Sequence, residues 1–317
     1  MQAILYRLRH GVPADEMQSA FNPATVPVYV LSLLQVGLAI LAFQLAGLDL
    51  DPAMSVGLPL IPLWLIFSAW AVRRVGHGRI GDTLEAIGLV MLNGGGCMGL
   101  ILALTTISAP LADPLLASAD QALGFNWPAI LAALPPGHPS LLSRFYRSFE
   151  WQPVLILATL FYLRQPNRAW QLVLAGLVAL ALTAAIYPFV PALGAYVHFG
   201  ITPAKEYTNW GTNYAHSILA IKGGQRLVTS DLLAGLVTFP SYHVAAGCIF
   251  AWAAWPVRYL RWPMIALNVG MAFSAMFVGG HYFVDLVGGA AVAAASIWIA
   301  GLLERRCTPT RQAPCPC

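Results

Sequence analysis

The chain has 317 residues, of which 58% are hydrophobic and only 9% charged, with a formal net charge of +4. A soluble protein of this size carries roughly 25% charged residues, so the composition excludes a soluble globular fold and assigns the chain to a lipid bilayer. The small net charge offers no field for nucleic acid, and no nucleic-acid partner is expected. Five cysteines are present. Cys97 and Cys248 lie in apolar stretches, while Cys307, Cys315 and Cys317 crowd a short tail without zinc-ligand spacing.

The first 23 residues are polar and irregular, and the first apolar run comes too late for a cleavable signal peptide. Eight apolar stretches then follow at 28–48, 56–72, 84–107, 151–163, 169–190, 232–255, 262–278 and 282–303. Most approach the twenty or so residues that a bilayer core requires. The expectation is an all-α integral membrane protein with about eight transmembrane helices. The third stretch contains Gly94-Gly95-Gly96, a spacing that suits close helix packing. The connection 111–150 includes a run from Asp120 that suggests an amphipathic segment at the membrane surface, anchored by Trp127. A second polar connection, 191–230, holds most of the remaining Asn, Thr, Tyr and His.

Cations set the orientation. With the amino terminus inside, twelve arginines fall inside (7, 9, 73, 74, 79, 164, 168, 258, 261, 305, 306 and 311). Five cations fall outside: Arg144, Arg147, Lys205, Lys222 and Arg226. The positive-inside bias therefore predicts both termini in the cytoplasm. It also puts 304–317 inside as a cytoplasmic tail.

Two stretches carry chemistry. Gly279-Gly280-His281-Tyr282-Phe283-Val284-Asp285 opens the last apolar segment with a histidine and a carboxylate four residues on. On a helix such residues share a face, so Asp285 can hold His281 in one tautomer and leave its other nitrogen as nucleophile or base. An aspartate at the head of an apolar helix is costly and marks function. About forty residues upstream, Phe239-Pro240-Ser241-Tyr242-His243 puts a second histidine at the mouth of another apolar segment, on the same outer side. By contrast, the glycines of the first motif, Gly279, Gly280, Gly288 and Gly289, suit close helix approach.

The ordered pair Pro240-Ser241-Tyr242-His243 and His281-x3-Asp285 resembles the paired signature of the type 2 phosphatidic acid phosphatase superfamily. The wording from His281 to Gly289 is most similar to the inositol phosphorylceramide synthase-like branch. The resemblance implies a membrane lipid phosphatase or phosphotransferase acting on a lipid phosphate at the outer face, expected in a bacterial inner membrane with the site towards the periplasm. It implies His281 as the nucleophile that becomes phosphohistidine, Asp285 as its orienting group, and His243 as the acid and then the base. Ser241 would bind a phosphate oxygen. The acceptor is water in a hydrolase, or an alcohol such as inositol in a headgroup transferase. The resemblance also implies a six-helix catalytic core at 81–303, with residues 1–80 as an added two-helix segment. No cofactor or metal is implied.

The sequence departs from the family pattern in two places. Ser274 occupies the motif's serine position, but Ala275 stands where the motif has arginine, and the upstream Lys-x6-Arg-Pro motif has no clean match. Another cation must then serve the phosphate, with Lys222 the first candidate, followed by Arg226, Lys205, Arg144 and Arg147. Two other classes fit less of the pattern: a proton-coupled transporter, and a zinc hydrolase using His243, His281 and Asp285 as ligands.

Overall fold

A computed structural model describes residues 25–135, 137–207, 210–233 and 237–307. Arg7, Arg9, Arg311, Cys315 and Cys317 lie outside the described residues, as does most of the 304–317 tail. The described chain is helical, with one two-residue parallel pairing of β1 (Asp49–Leu50) with β2 (Leu227–Val228). In chain order the α-helices are α1 (Val26–Leu45), α2 (Pro52–Arg74), α3 (Gly78–Thr105), α4 (Asp113–Ala122), α5 (Trp127–Ala132) and α6 (His138–Tyr162). They continue with α7 (Pro166–Ile186), α8 (Ala195–Phe199), α9 (Trp210–Lys222), α10 (Tyr242–Ala254), α11 (Arg258–Val278) and α12 (Phe283–Cys307).

Six of these helices are long and apolar enough to cross a membrane: α1, α2, α3, α7 with the turn that follows it, α11 and α12. The other two expected spans differ from the sequence reading. The stretch 151–163 is the second half of α6, which starts at His138 and carries Arg144, Arg147 and Glu150 in its first half. Those charges keep the whole helix below the apolar character of the other six. The stretch 232–255 is not one helix. A 3-10 turn covers Ser230–Leu233, residues 237–241 are non-helical, and α10 begins only at Tyr242. Proline removes a backbone donor and biases its predecessor away from helix, so Pro240 halts any helix arriving from Leu232. At 1.5 Å per residue the 13 residues of α10 reach only about 20 Å.

Packing explains the exposure pattern. In α7, 61% of the apolar window is buried, against 22% in α1 and 11% in α2. A helix apolar on all sides belongs at a bundle's centre, and α7 packs against α3, α10 and α12. α6 and α11 close the bundle, while α2 lies along α3, and α1 packs on α3 and α7. The close approach between α2 and α3 does not use the Gly94-Gly95-Gly96 run. No neighbour lies within 4 Å of a methyl built on Gly94 or Gly95. Gly81 and Gly88 carry the contact instead, where such a methyl would come within 2.9 Å of the backbone oxygens of Ala69 and Pro62.

Several polar side chains inside the bundle pair across helices. Asn268 on α11 donates to Gln152 Oε1 on α6 at 2.8 Å, and Asn93 on α3 donates to Ser32 Oγ on α1 at 3.0 Å. Such bonds tie helices where apolar packing alone gives no preference over lipid. At one end of the bundle, Arg79 donates to the Tyr162 carbonyl, Arg168 covers the Trp252 ring at 3.5 Å, and Gln171 meets Glu304. The opposite end holds the β1–β2 pairing, the short helices α4, α5, α8 and α9, and both motif segments.

Candidate active site

The site is assembled around the start of α12. A helix's first N–H groups have no partner within the helix, and here two carboxylates take them. Asp120, from α4, accepts Phe283 N–H through Oδ2 and Val284 N–H through Oδ1, both at 2.8 Å. Asp285 reaches back to the Tyr282 N–H at 2.9 Å, the return half of a capping box. Negative charge at this end also suits the helix dipole. Burial holds the Asp120 carboxyl above the usual carboxylate range, against the pull of the Phe283 and Val284 N–H groups.

His281 is therefore not on the helix. It stands two residues before α12, in the Gly279–Tyr282 turn, so its approach to Asp285 is a cap geometry and not the helical i,i+4 face expected from spacing. Gly280 has φ +66°, a left-handed conformation that glycine adopts without the Cβ clash, and it aims the following ring inward. The ring is 3% exposed and is gripped through Nδ1, 2.9 Å from the Thr238 carbonyl and 3.3 Å from Asp285 Oδ2. A carbonyl can only accept, so Nδ1 carries the hydrogen. In the neutral ring Nε2 is then the nitrogen without hydrogen, and it lies 3.4 Å from Ser241 Oγ. The sequence had assigned this tautomer to Asp285 alone; Thr238 is the nearer partner.

Asp285 also joins the two motifs. Its backbone carbonyl accepts the Ser241 N–H at 3.0 Å. Gly288 and Gly289 let α12 lie against that segment, since a methyl on Gly289 would come within 2.3 Å of the Ser241 carbonyl oxygen. Ser241 is the N-cap residue of α10, but its hydroxyl does not cap the helix. It faces the histidine instead, leaving the helix mouth open to an anion. His243 follows in the first turn of α10. It is partly exposed, and its ring centroid is 6.4 Å from that of His281. Tyr146 stacks on it at 4.2 Å and Phe149 lies at 4.7 Å, both from α6. The arrangement is an imidazole fixed through Nδ1, a hydroxyl beside its Nε2, and a second imidazole whose ring centre is 6.4 Å away.

Several site residues escaped the sequence reading. Asp113, on the same face of α4 as Asp120, accepts N–H bonds from Leu193 at 2.8 Å and Gly194 at 2.7 Å, and the Tyr282 hydroxyl at 2.9 Å. Trp127 is not a membrane-surface anchor. It is 1% exposed, packs edge-on against Tyr196, and donates its indole N–H to the His281 carbonyl at 3.0 Å. Two buried acids two turns apart in a connecting segment were the available signal. Removing that support should be visible: Asp120→Ala is expected to destabilise the protein by about 1–3 kcal/mol, the cost of orphaning buried donors. Both the unfolding midpoint in detergent and turnover should fall, with Asp120→Asn between the two.

The proposed cations are placed less centrally. Lys222 Nζ lies 3.2 Å from the Ala109 carbonyl and 3.4 Å from that of Ser108, just past α3. Arg226 meets the carbonyls of Ile221 and Gln225, and Arg147 lies 3.8 Å from Glu150. Arg144 and Lys205 are exposed. No hydrogen bond or ion pair joins any of the five to His243, His281, Asp285 or Ser241 among the described residues. Among those residues, no three His, Cys, Asp or Glu side chains converge as metal ligands.

The family model of the PAP2 superfamily matches residues 114–299, more than half of the chain. The chain belongs to the PAP2 superfamily. No curated protein and no solved structure matches it. PAP2 superfamily members are phosphatases and phosphotransferases, and with six apolar helices the chain fits a membrane phosphoesterase. The matched span runs from the second residue of α4 to near the end of α12 and so includes every motif residue and Asp120, with Asp113 one residue before it. Against the PAP2 pattern, Ala275 is fully buried where α11 ends, its carbonyl accepting the Gly279 N–H at 3.0 Å. Ser274 gives its hydroxyl to the Met271 carbonyl one turn back at 2.7 Å.

Proposed function

We propose that this PAP2 protein cleaves or transfers a phosphate or phospho-headgroup of a lipid through a phosphohistidine on His281. The observation that carries the reading is the His281 ring, whose Nδ1 is tied to Thr238 and Asp285 while Nε2 faces Ser241. In this scheme Nε2 attacks phosphorus, Ser241 and the open N-terminus of α10 bind phosphoryl oxygens, and His243 gives a proton to the departing alkoxide. His243 then takes a proton from the acceptor, which attacks the phosphohistidine and restores the free ring. A hydrolase and a headgroup transferase of the inositol phosphorylceramide synthase-like kind differ only in that acceptor. Charge on the phosphate would be met by one of the five outer cations. Lys222 would first have to leave the carbonyls past α3.

Purified protein should be tested against a panel of lipid phosphates and phosphodiesters in mixed micelles, with and without inositol or another alcohol, and with excess chelator. Phosphate release without added alcohol supports hydrolysis, and headgroup exchange supports transfer. Absence of turnover and of any phosphoenzyme across the panel sinks the reading. Loss of turnover on chelation, restored by zinc, would move it to metal-dependent hydrolysis.

The proposed topology has eight crossings, with α6 and α10 completing the six long apolar helices, residues 1–80 added to a core at 81–303, and the tail inside. It places the site in the periplasm. A cysteine at Thr229, in a background without native cysteines, is expected to react with an impermeant thiol reagent in intact cells. A cysteine at Arg164 should stay unlabelled until the membrane is opened. The reverse pattern would overturn the orientation.

A further inference from the structure

Tyr214 belongs to α9, in the polar connection that precedes the Ser241 motif. It is 4% exposed, and its hydroxyl has no hydrogen-bond partner among the described residues. A methyl built on Gly194 would come within 1.6 Å of that hydroxyl and 2.9 Å of the Gly280 carbonyl. The phenol thus rests on backbone immediately before His281, where Gly194 has φ +88° and no side chain to exclude it. This floor is rigid: Asp113 holds Gly194 N–H and the Tyr282 hydroxyl, and Ala195 N–H donates to the Gly280 carbonyl at 2.9 Å. Tyr146 closes the other flank, its ring edge 3.2 Å from a methyl built on Gly279 that would also meet His281 Cδ2 at 2.8 Å.

We propose that Tyr214 is a further catalytic residue, donating its O–H to a nonbridging oxygen of the phosphoryl group as that group passes to His281 Nε2. The inference rests on the phosphoryl-transfer reading above and adds a donor that neither motif contains. Three observations support it. The hydroxyl is buried and unpaired, a costly state that a substrate oxygen would relieve. Burial, helped by the nearby charges of Asp285 and Asp113, pushes the phenol well above its ordinary range, so it stays protonated. It is therefore a donor throughout the cycle and neither gives up its proton nor forms a bond to phosphorus. Finally, no Lys or Arg is bonded to the motif residues among the described residues, so a donor built into the site adds to the charge that an outer cation would bring. A preorganised donor in a water-poor site is effective there.

The test compares wild type with Tyr214→Phe, using the best substrate of the panel and orthovanadate as a transition-state probe. The variant is expected to lose on the order of 10²-fold in kcat, the scale for removing one such donor, with KM changed by no more than about threefold. Vanadate inhibition should weaken by about tenfold or more. Because no native hydrogen bond is removed, the unfolding midpoint should stay level or rise. Wild-type turnover and vanadate inhibition retained in Tyr214→Phe overturn the proposal and leave the phosphohistidine reading standing. A fall in kcat accompanied by a lower midpoint and unchanged vanadate inhibition also overturns it, because the hydroxyl would then be structural. A wild type that forms no phosphohistidine removes both.

Discussion

His281→Ala is expected to abolish phosphoryl transfer, lowering turnover by on the order of 10⁴-fold or more, the scale on which loss of a covalent nucleophile is felt. Rapid-quench trapping with a phosphorus-labelled substrate should find no phosphoenzyme in the variant. Wild type should carry acid-labile, base-stable label on the peptide containing His281. The fold should survive, because among the described residues the imidazole makes three hydrogen bonds: to the Thr238 carbonyl, to Asp285 and, weakly, to Ser241. Asp285 would still hold the Tyr282 N–H and, through its carbonyl, the Ser241 N–H. Label that persists in His281→Ala, or that maps to His243, would reverse the two histidines' roles.

His243→Ala should instead show a loss that depends on the leaving group. A lipid alkoxide departs poorly unless protonated, and a positioned acid contributes on the order of 10²–10⁴-fold. An aryl phosphate leaves without that help. The variant is therefore expected to lose most turnover on the lipid yet still label His281 from an aryl ester, and then to accumulate phosphohistidine because the acceptor is no longer activated. The site can absorb the change, since among the described residues the His243 ring is held by stacking on Tyr146 and a tilted contact with Phe149, and not by hydrogen bonds that its removal would orphan. An equal loss on both substrates, with no accumulated intermediate, would exclude the acid–base role.

The Asp285 geometry shows how a correct pairing can follow from the wrong local structure. Spacing suggested a helical face, and the contact instead arises because α12 starts at Phe283 and Asp285 is its third residue. Either arrangement brings residues 281 and 285 together, so the sequence could not tell them apart. The difference matters for chemistry. A histidine on the helix would have its backbone fixed by helical bonds, whereas in a turn it depends on Gly280, on the Thr238 carbonyl and on Trp127 beneath its own carbonyl.

Composition and periodicity determined that the chain is an all-α membrane protein, because an apolar stretch of bilayer length has few other stable states. Motif spacing determined that His243, His281, Asp285 and Ser241 belong to one site, since two short signatures at helix mouths on one side need only the bundle to bring them together. The number of long spans, the buried place of Trp127 and the close α2–α3 contact at Gly81 and Gly88 depend on which faces meet, and one chain's pattern does not encode this legibly. The same holds for Asp113, Asp120, Thr238 and Tyr214. Each lies tens of residues or more from His281 in the chain, and three act on or through backbone groups, which carry no residue identity. Only the tertiary structure, by packing α4 against the start of α12 and Tyr214 of α9 onto the backbone just before it, decided that two acids, a carbonyl and an unpaired phenol lie around the segment that carries His281.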